Sequence, residues 1–181
     1  METSERLVFG HSMAALLDRC AKGLSSEHWA ALRALGVERE RRLPAYEYER
    51  WCRVVEYLAK AVHPELLAGD AEYELGRTFI EVYAETTVGR ALFGLLKLLG
   101  VSRTIERLAR SFRTGTNFTE VETRDKQKSQ CSVWFNVVEQ RGQFTHGILA
   151  RGLQLVGGSG VEVELVRLEG GGATYSVRWP D

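Results

Sequence analysis

Three histidines, His11, His28 and His63, share the amino-terminal part of the chain with Cys20 and Cys52. Imidazoles and thiols are the donors that zinc and related metals prefer. Their spacing contains no His-x-x-x-His and no Cys-x-x-Cys pair, so a metal-binding sensor would need distant segments to converge. The third cysteine, Cys131, stands apart. An odd number of scattered thiols fits a reduced, cytoplasmic protein better than a disulfide framework. His146 falls in the first turn of a later helix, a place for an uncharged or surface imidazole, with an acid/base role as the alternative.

Other chemistry finds little support. "GHS" at 10–12 and "GGSG" at 157–160 lack the strand, flanked serine and helix of a nucleophile elbow. "EGGG" joins two alternating segments and has no following Lys-Ser/Thr, so it reads as a hairpin turn and not as a phosphate loop. Glu72 and Glu74 take helical solvent positions, while Glu162 and Glu164 take the outward side of a strand, and neither pair suggests a catalytic site. No enzyme activity is expected.

Charge is more suggestive. Lys plus Arg and Asp plus Glu each number 24, so attraction to nucleic acid or an acidic surface must be local. In "SRTIERLARSFRTGTNF", residues 102–118, a helix over 102–113 would turn Ile105, Leu108, Ala109 and Phe112 inward and Arg103, Arg107 and Arg110 outward. The ordinary account is a solvated face tempered by Glu106. The alternative is a docking surface for an anionic ligand, a phosphate backbone or an acidic protein partner, extended by Arg113, Arg124, Lys126 and Lys128, since the arginine fork binds carboxylate and phosphate bidentately. A nucleic-acid-binding regulator using the same helix is a further alternative, but no aromatic side chains interleave to stack on bases.

The elements that position these residues follow from periodicity. At 181 residues and 44% hydrophobic, one domain with one substantial core is expected. Up to residue 114 the pattern is helical, in about six helices. Met13, Leu16, Leu17 and Cys20 share a helix face; Ser25 caps a helix that Gly36 ends; Pro44 opens a longer one striped by Trp51, Val54, Val55, Leu58 and Val62; and Asp70 starts another. Helices over about 88–99 and 102–113 follow. From 115 to 181 the period becomes two: "FTEVET" and "CSVWFNVV" form a hairpin across "RDKQKS", a helix follows with Thr145 as its cap, and "VEVELVRL" pairs with "ATYSVRW". Gly152 is the expected point of close helix approach. The fold class is α+β, a helical layer followed by a β-β-α-β-β antiparallel sheet. Tyr46, Tyr48, Trp51, Tyr57, Tyr73, Phe79 and Tyr83 have core-helix spacing, with a pocket lining as the second reading. The most apolar window, 91–101, is too short for a membrane span and contains Lys97, and no signal peptide is evident.

The succession "VFGHSMAALLDRCAKGLSSEHWAALRALGV", "LPAYEYERWCRVVEYLAKAVHP" and "GDAEYELGRTFIEVYAETTVGRALFGLLKLLG", with the carboxy-terminal sheet elements, resembles a paralogous family of unknown function from myxobacteria over essentially the whole chain. In order of elements and hydrophobic pattern the chain is more distantly similar to the haem-nitric-oxide-binding, vinyl-reductase-like and Bet3-type trafficking superfamily. That resemblance implies a helical layer against a small sheet, enclosing an apolar pocket or forming a dimer face. In the haem-binding relatives, the helix corresponding to "SRTIERLARSF" would supply the iron-ligating histidine; this one has none. Their Tyr-x-Ser-x-Arg propionate grip is missing from "KSQCSVWFNVVEQR", and the single Cys131 departs from the cysteine-rich metal site of vinyl-reductase-like members. No cofactor, and haem in particular, is therefore expected. The sequence points to a non-catalytic cytoplasmic sensory or adaptor domain, acting through a small apolar ligand, an acidic protein partner or self-association. Its candidate pocket is Phe79, Tyr83, Phe93, Val133 and Phe135; its candidate partner face is Arg103, Arg107, Arg110 and Arg113.

Overall fold

The computed structural model describes residues 5–20 and 22–180; the side chains of Arg19 and Cys20 lie outside the described residues, so the place of Cys20 in any thiol cluster does too. The amino-terminal half opens with strand β1 (Leu7–Phe9), helix α1 (Gly10–Ala15), a π-helical turn over Leu16–Cys20 and α2 (Ser26–Ala34). Ser25 caps α2, its hydroxyl accepting from the His28 N–H at 3.4 Å.

Pro44 does not open a helix as the pattern suggested. It precedes a second short strand, β2 (Ala45–Glu47), which pairs antiparallel with β1 and sets Val8 opposite Tyr46. The Pro44 carbonyl accepts from the Gly10 N–H at 2.7 Å, which commits it to the ribbon, and α3 (Tyr48–Val62) begins only beyond it. Next come α4 (Ala68–Glu85), α5 (Thr87–Glu106) and α6 (Leu108–Phe112). Gly100, at φ 74°, kinks α5 where the sequence implied a boundary. The expected continuous helix over 102–113 is instead two pieces. Arg107 leaves helical geometry at φ −103° and ψ 1°, and its N–H bonds to Thr104 O at 2.9 Å, a tightened three-residue closure that ends α5.

Strands β3 (Val121–Arg124), β4 (Gln130–Phe135), β5 (Glu162–Glu169) and β6 (Gly172–Arg178) form an antiparallel sheet in the order β3-β4-β6-β5. The register sets Cys131 opposite Val177 and Val133 opposite Tyr175, so the alternating apolar residues share the inner face. Helix α7 (Gln143–Gly157) separates two clusters of buried side chains: Phe144 belongs to the helical cluster, and Leu149 and Leu153 to the one on the sheet.

The close approach of α7 to α4 occurs at glycines other than Gly152. A Cβ on Gly76 would lie 2.2 Å from Phe144 O, and one on Gly147 would lie 2.1 Å from Tyr73 O. At Gly152 a Cβ would meet Ile80 Cγ1 at an ordinary 3.5 Å. Thr145 is likewise not the cap of α7: Gly142, at φ 65°, holds that place, and Thr145 is buried with its hydroxyl turned to Glu139. Among the described residues, no helix is long and apolar enough to cross a membrane.

Candidate functional site

A cavity of about 140 Å³ lies where the helices meet the inner sheet face. Its walls follow from the amphipathic stripes of the surrounding elements: Tyr48 and Trp51 from α3; Phe79, Ile80 and Tyr83 from α4; Leu92, Phe93 and Leu96 from α5; Leu108 and Phe112 from α6. Phe135 of β4 and Phe144, Ile148, Leu149, Gly152 and Leu153 of α7 complete the apolar surface. The rings pack edge to face or tilted, with Trp51 and Phe79 centroids 5.8 Å apart, Phe79 and Phe144 5.5 Å, and Phe112 and Phe135 4.8 Å.

Of the candidate pocket residues, Phe79, Tyr83, Phe93 and Phe135 border this cavity. Val133 does not. It points to the same face as Phe135 but lies opposite Tyr175 in the sheet core, fully buried, one pleat farther from the opening between the helices.

Thr104 and Ser111 of the lining donate to backbone carbonyls, Ser12 adds a further hydroxyl, and the other polar groups gather at two places. At one, the Tyr83 hydroxyl bonds to Thr114 Oγ1 at 3.0 Å and to His11 Nε2 at 3.3 Å, and Thr116 donates to Thr119 at 2.6 Å. At the other, Glu139 accepts from the Thr145 hydroxyl at 2.7 Å. Burial pushes the Glu139 carboxyl above its ordinary pKa, and the bond from Thr145 only partly opposes this. Tyr48 Oη is buried without a hydrogen-bond partner. Its pKa is also raised, first by burial and then by the Glu139 charge. Sequence reasoning missed Glu139, whose one signal is a carboxylate immediately after the apolar Val137 and Val138. It also placed Glu72 in solvent. Glu72 is buried, and its carboxylate binds Arg141 at 2.5 Å, pinning α4 to the segment that leads into α7.

The metal and nucleophile candidates are dispersed. His11 faces Tyr83, His28 Nδ1 meets the Tyr57 hydroxyl at 2.7 Å, and His63 lies 3.9 Å from Glu65. Among the described residues no three His, Cys, Asp or Glu side chains gather as a metal site would need. Burial pushes the Cys52 thiol up to about 12 and the Cys131 thiol up to about 11, away from the thiolate form that reacts. His146 bridges elements, its Nε2 donating to Val163 O at 2.9 Å with Gln143 Oε1 3.0 Å from Nδ1.

Arg103, Arg107, Arg110 and Arg113 are all exposed, and none forms an ion pair among the described residues. Glu106, between the first two, is held by Lys126, whose hydrogen bond and charge keep its carboxyl below the ordinary range. The Arg103 and Arg107 charges act in the same direction to a lesser degree, so Glu106 tempers the stripe while bonded to Lys126. Arg124 departs from the stripe, stacking on Trp134 at 4.8 Å and pairing with Glu122.

The profile of a family described as a protein of unknown function (DUF2378) matches residues 6–180. Solved H-NOX proteins share the fold. One from S. oneidensis, in an Fe(II)NO ligation state, is 11% identical, with a TM-score of 0.70, covering 96% of this chain and 99% of that one. An unliganded Fe(II) H-NOX protein from K. algicida is 11% identical with a TM-score of 0.66, covering 96% and 97%. An oxygen-binding H-NOX domain related to soluble guanylate cyclases is 13% identical with a TM-score of 0.66, covering 93% and 92%. No curated protein matches the sequence significantly.

Proposed function

The chain belongs to the DUF2378 family, and on that premise we propose that it is a non-catalytic cytoplasmic signalling domain that binds a small, largely apolar ligand between its helices and its sheet. The observation that carries this reading is the aromatic-walled cavity, whose volume of about 140 Å³ is close to that of a protein cavity that stays dry and takes up benzene. The shared fold with H-NOX proteins, some of whose structures hold NO or oxygen, supports a sensory role.

Haem is not part of this reading. The lining contains no histidine, cysteine or methionine to ligate iron, and no arginine or lysine to neutralise propionates. Tyrosine is the one haem-ligand type present: Tyr83 is engaged by Thr114 and His11, and burial holds the Tyr48 hydroxyl away from the phenolate form that ligates iron. A benzene-sized space is also far smaller than a porphyrin. The raised pKa values of Cys52 and Cys131 and the dispersed histidines support a non-catalytic role. The exposed arginines 103, 107, 110 and 113 would carry the signal by docking an acidic protein surface.

The test is thermal unfolding of the full chain with and without a small aromatic probe, toluene or phenol. Binding to the native state raises the melting temperature of the wild type. Gly152→Leu, which grows a side chain toward Ile80 and Phe93 in the lining, abolishes that rise. Equal shifts in both proteins, or none with either probe, would remove the cavity from consideration.

A further inference from the structure

We propose that the cavity takes an uncharged, benzene-sized molecule bearing one hydroxyl group, held by the Tyr48 hydroxyl and the Glu139 carboxyl at the polar end of an otherwise apolar chamber. The inference rests on the reading of the cavity as a ligand site and gives that site a ligand chemistry.

The central observation is the orphaned Tyr48 Oη. Buried hydroxyls in native proteins are nearly always paired, because burial strips away the water that would otherwise satisfy them. Tyr48 cannot readily swing its hydroxyl elsewhere. It is the first residue of α3, and its ring packs on Phe118 at 4.8 Å and 58°, with both rings bordering the cavity. Cys52, one helical turn along, offers only a weak sulfur acceptor. The Cys52 thiol is the partner nearest to hand, and a ligand hydroxyl would offer Tyr48 a stronger one.

Glu139 defines the second half of the anchor. The Thr145 hydroxyl donates to its Oε2 at 2.7 Å, with lesser contributions from the Trp51 side chain and the backbone of Glu139 and Thr145, and a ligand hydroxyl would join these donors at the other oxygen. Glu139 and Tyr48 both border the cavity. A ligand hydroxyl is both acceptor and donor. It can accept from Tyr48 O–H and donate to Glu139, which a ketone or an ether cannot do.

The remaining walls set the rest of the chemistry. Toward the Tyr83 end, Tyr83 bonds to Thr114 and His11, Thr116 bonds to Thr119, and Thr104 and Ser111 donate to backbone carbonyls, so apart from Ser12 the hydroxyls of that end are already engaged. No lysine, arginine or histidine borders the cavity, so an anion would be buried without compensation beside a carboxyl group. Phe79, Phe93, Phe135 and Phe144 provide faces and edges suited to one aromatic ring.

The test uses phenol and toluene, which place a hydroxyl or a methyl on the same ring, titrated calorimetrically into the full-length wild type, Tyr48→Phe and Glu139→Gln. In Tyr48→Phe the ratio of the toluene to the phenol dissociation constant falls roughly tenfold, with toluene binding retained, as one hydrogen bond is lost. Glu139→Gln moves the ratio in the same direction. Removal of an unpaired hydroxyl should leave Tyr48→Phe folded, and Glu139→Gln supplies the same comparison if it is not. A ratio unchanged in both variants, with the probes still binding, overturns the polar anchor and leaves the cavity reading standing. Failure of both probes to bind the wild type overturns the cavity reading and this inference with it.

Discussion

Gly147 of α7 lies so close to Tyr73 of α4 that a Cβ added to it would stand 2.1 Å from the Tyr73 carbonyl oxygen. The neighbour is backbone and cannot rotate away. Gly147→Ala should therefore destabilise the fold by about 1–3 kcal/mol, although alanine is the better helix former. Gly152→Ala, whose Cβ meets only Ile80 Cγ1 at 3.5 Å, should gain about 0.5–1 kcal/mol from reduced backbone freedom. Denaturant unfolding of the two variants distinguishes them, and a loss of stability at both positions would contradict the assignment of the crossing point.

Glu139 predicts a pH dependence of stability. Its carboxyl pKa is raised by burial above the ordinary value of 4.5, so the folded state holds a proton that the unfolded state has released. Stability from this group is complete below the unfolded pKa and declines as pH rises through the folded one. Glu139→Gln has no proton to lose. Its melting temperature relative to wild type should climb as pH rises above 4.5. Glu72, shifted upward chiefly by burial and opposed by Arg141, remains in both proteins and largely drops out of the difference. A difference independent of pH would sink the assignment.

The thiols should be inert in the native state. With values pushed up to about 12 for Cys52 and about 11 for Cys131, little thiolate exists at neutral pH. In a Cys20→Ser background, a disulfide reagent should label neither residue appreciably until the protein is unfolded. Rapid native labelling of one equivalent would show an activated cysteine and reopen an enzymatic reading.

The arginine face should be dispensable for folding. Arg107→Glu with Arg110→Glu alters two exposed side chains that form no ion pairs among the described residues, so melting should change little, within about 0.5 kcal/mol per site. Retention on a polyglutamate resin should be lost. Unaltered retention would detach the stripe from partner binding, and retention of the wild type on duplex DNA that falls steeply with salt would favour the nucleic-acid alternative.

The sequence by itself determined the order of elements and most of their faces. Period-two alternation in "CSVWFNVV" and "ATYSVRW" placed Cys131, Val133, Phe135, Tyr175 and Val177 on one face, because a pleated strand leaves no other arrangement for them. The helical stripes of α3 and α4 were equally legible, and they brought Phe79 and Tyr83 to the cavity. Tertiary contacts decided the rest. Strands β1 and β2, three residues each, are too short for any period and exist because they pair with each other. Val133 and Phe135 share a pattern, yet only Phe135 reaches the opening, since the ends of the helices set where the sheet is uncovered. Glu72 read as a solvent carboxylate because burial of a charge depends on a partner distant in sequence, Arg141, and Glu139 was not singled out at all because its burial depends on how the start of α7 packs. The polar end of the cavity, with its unpaired Tyr48 hydroxyl, appears only when α3, α7 and the end of β4 are packed together, because hydrogen-bond satisfaction is a property of neighbours in space.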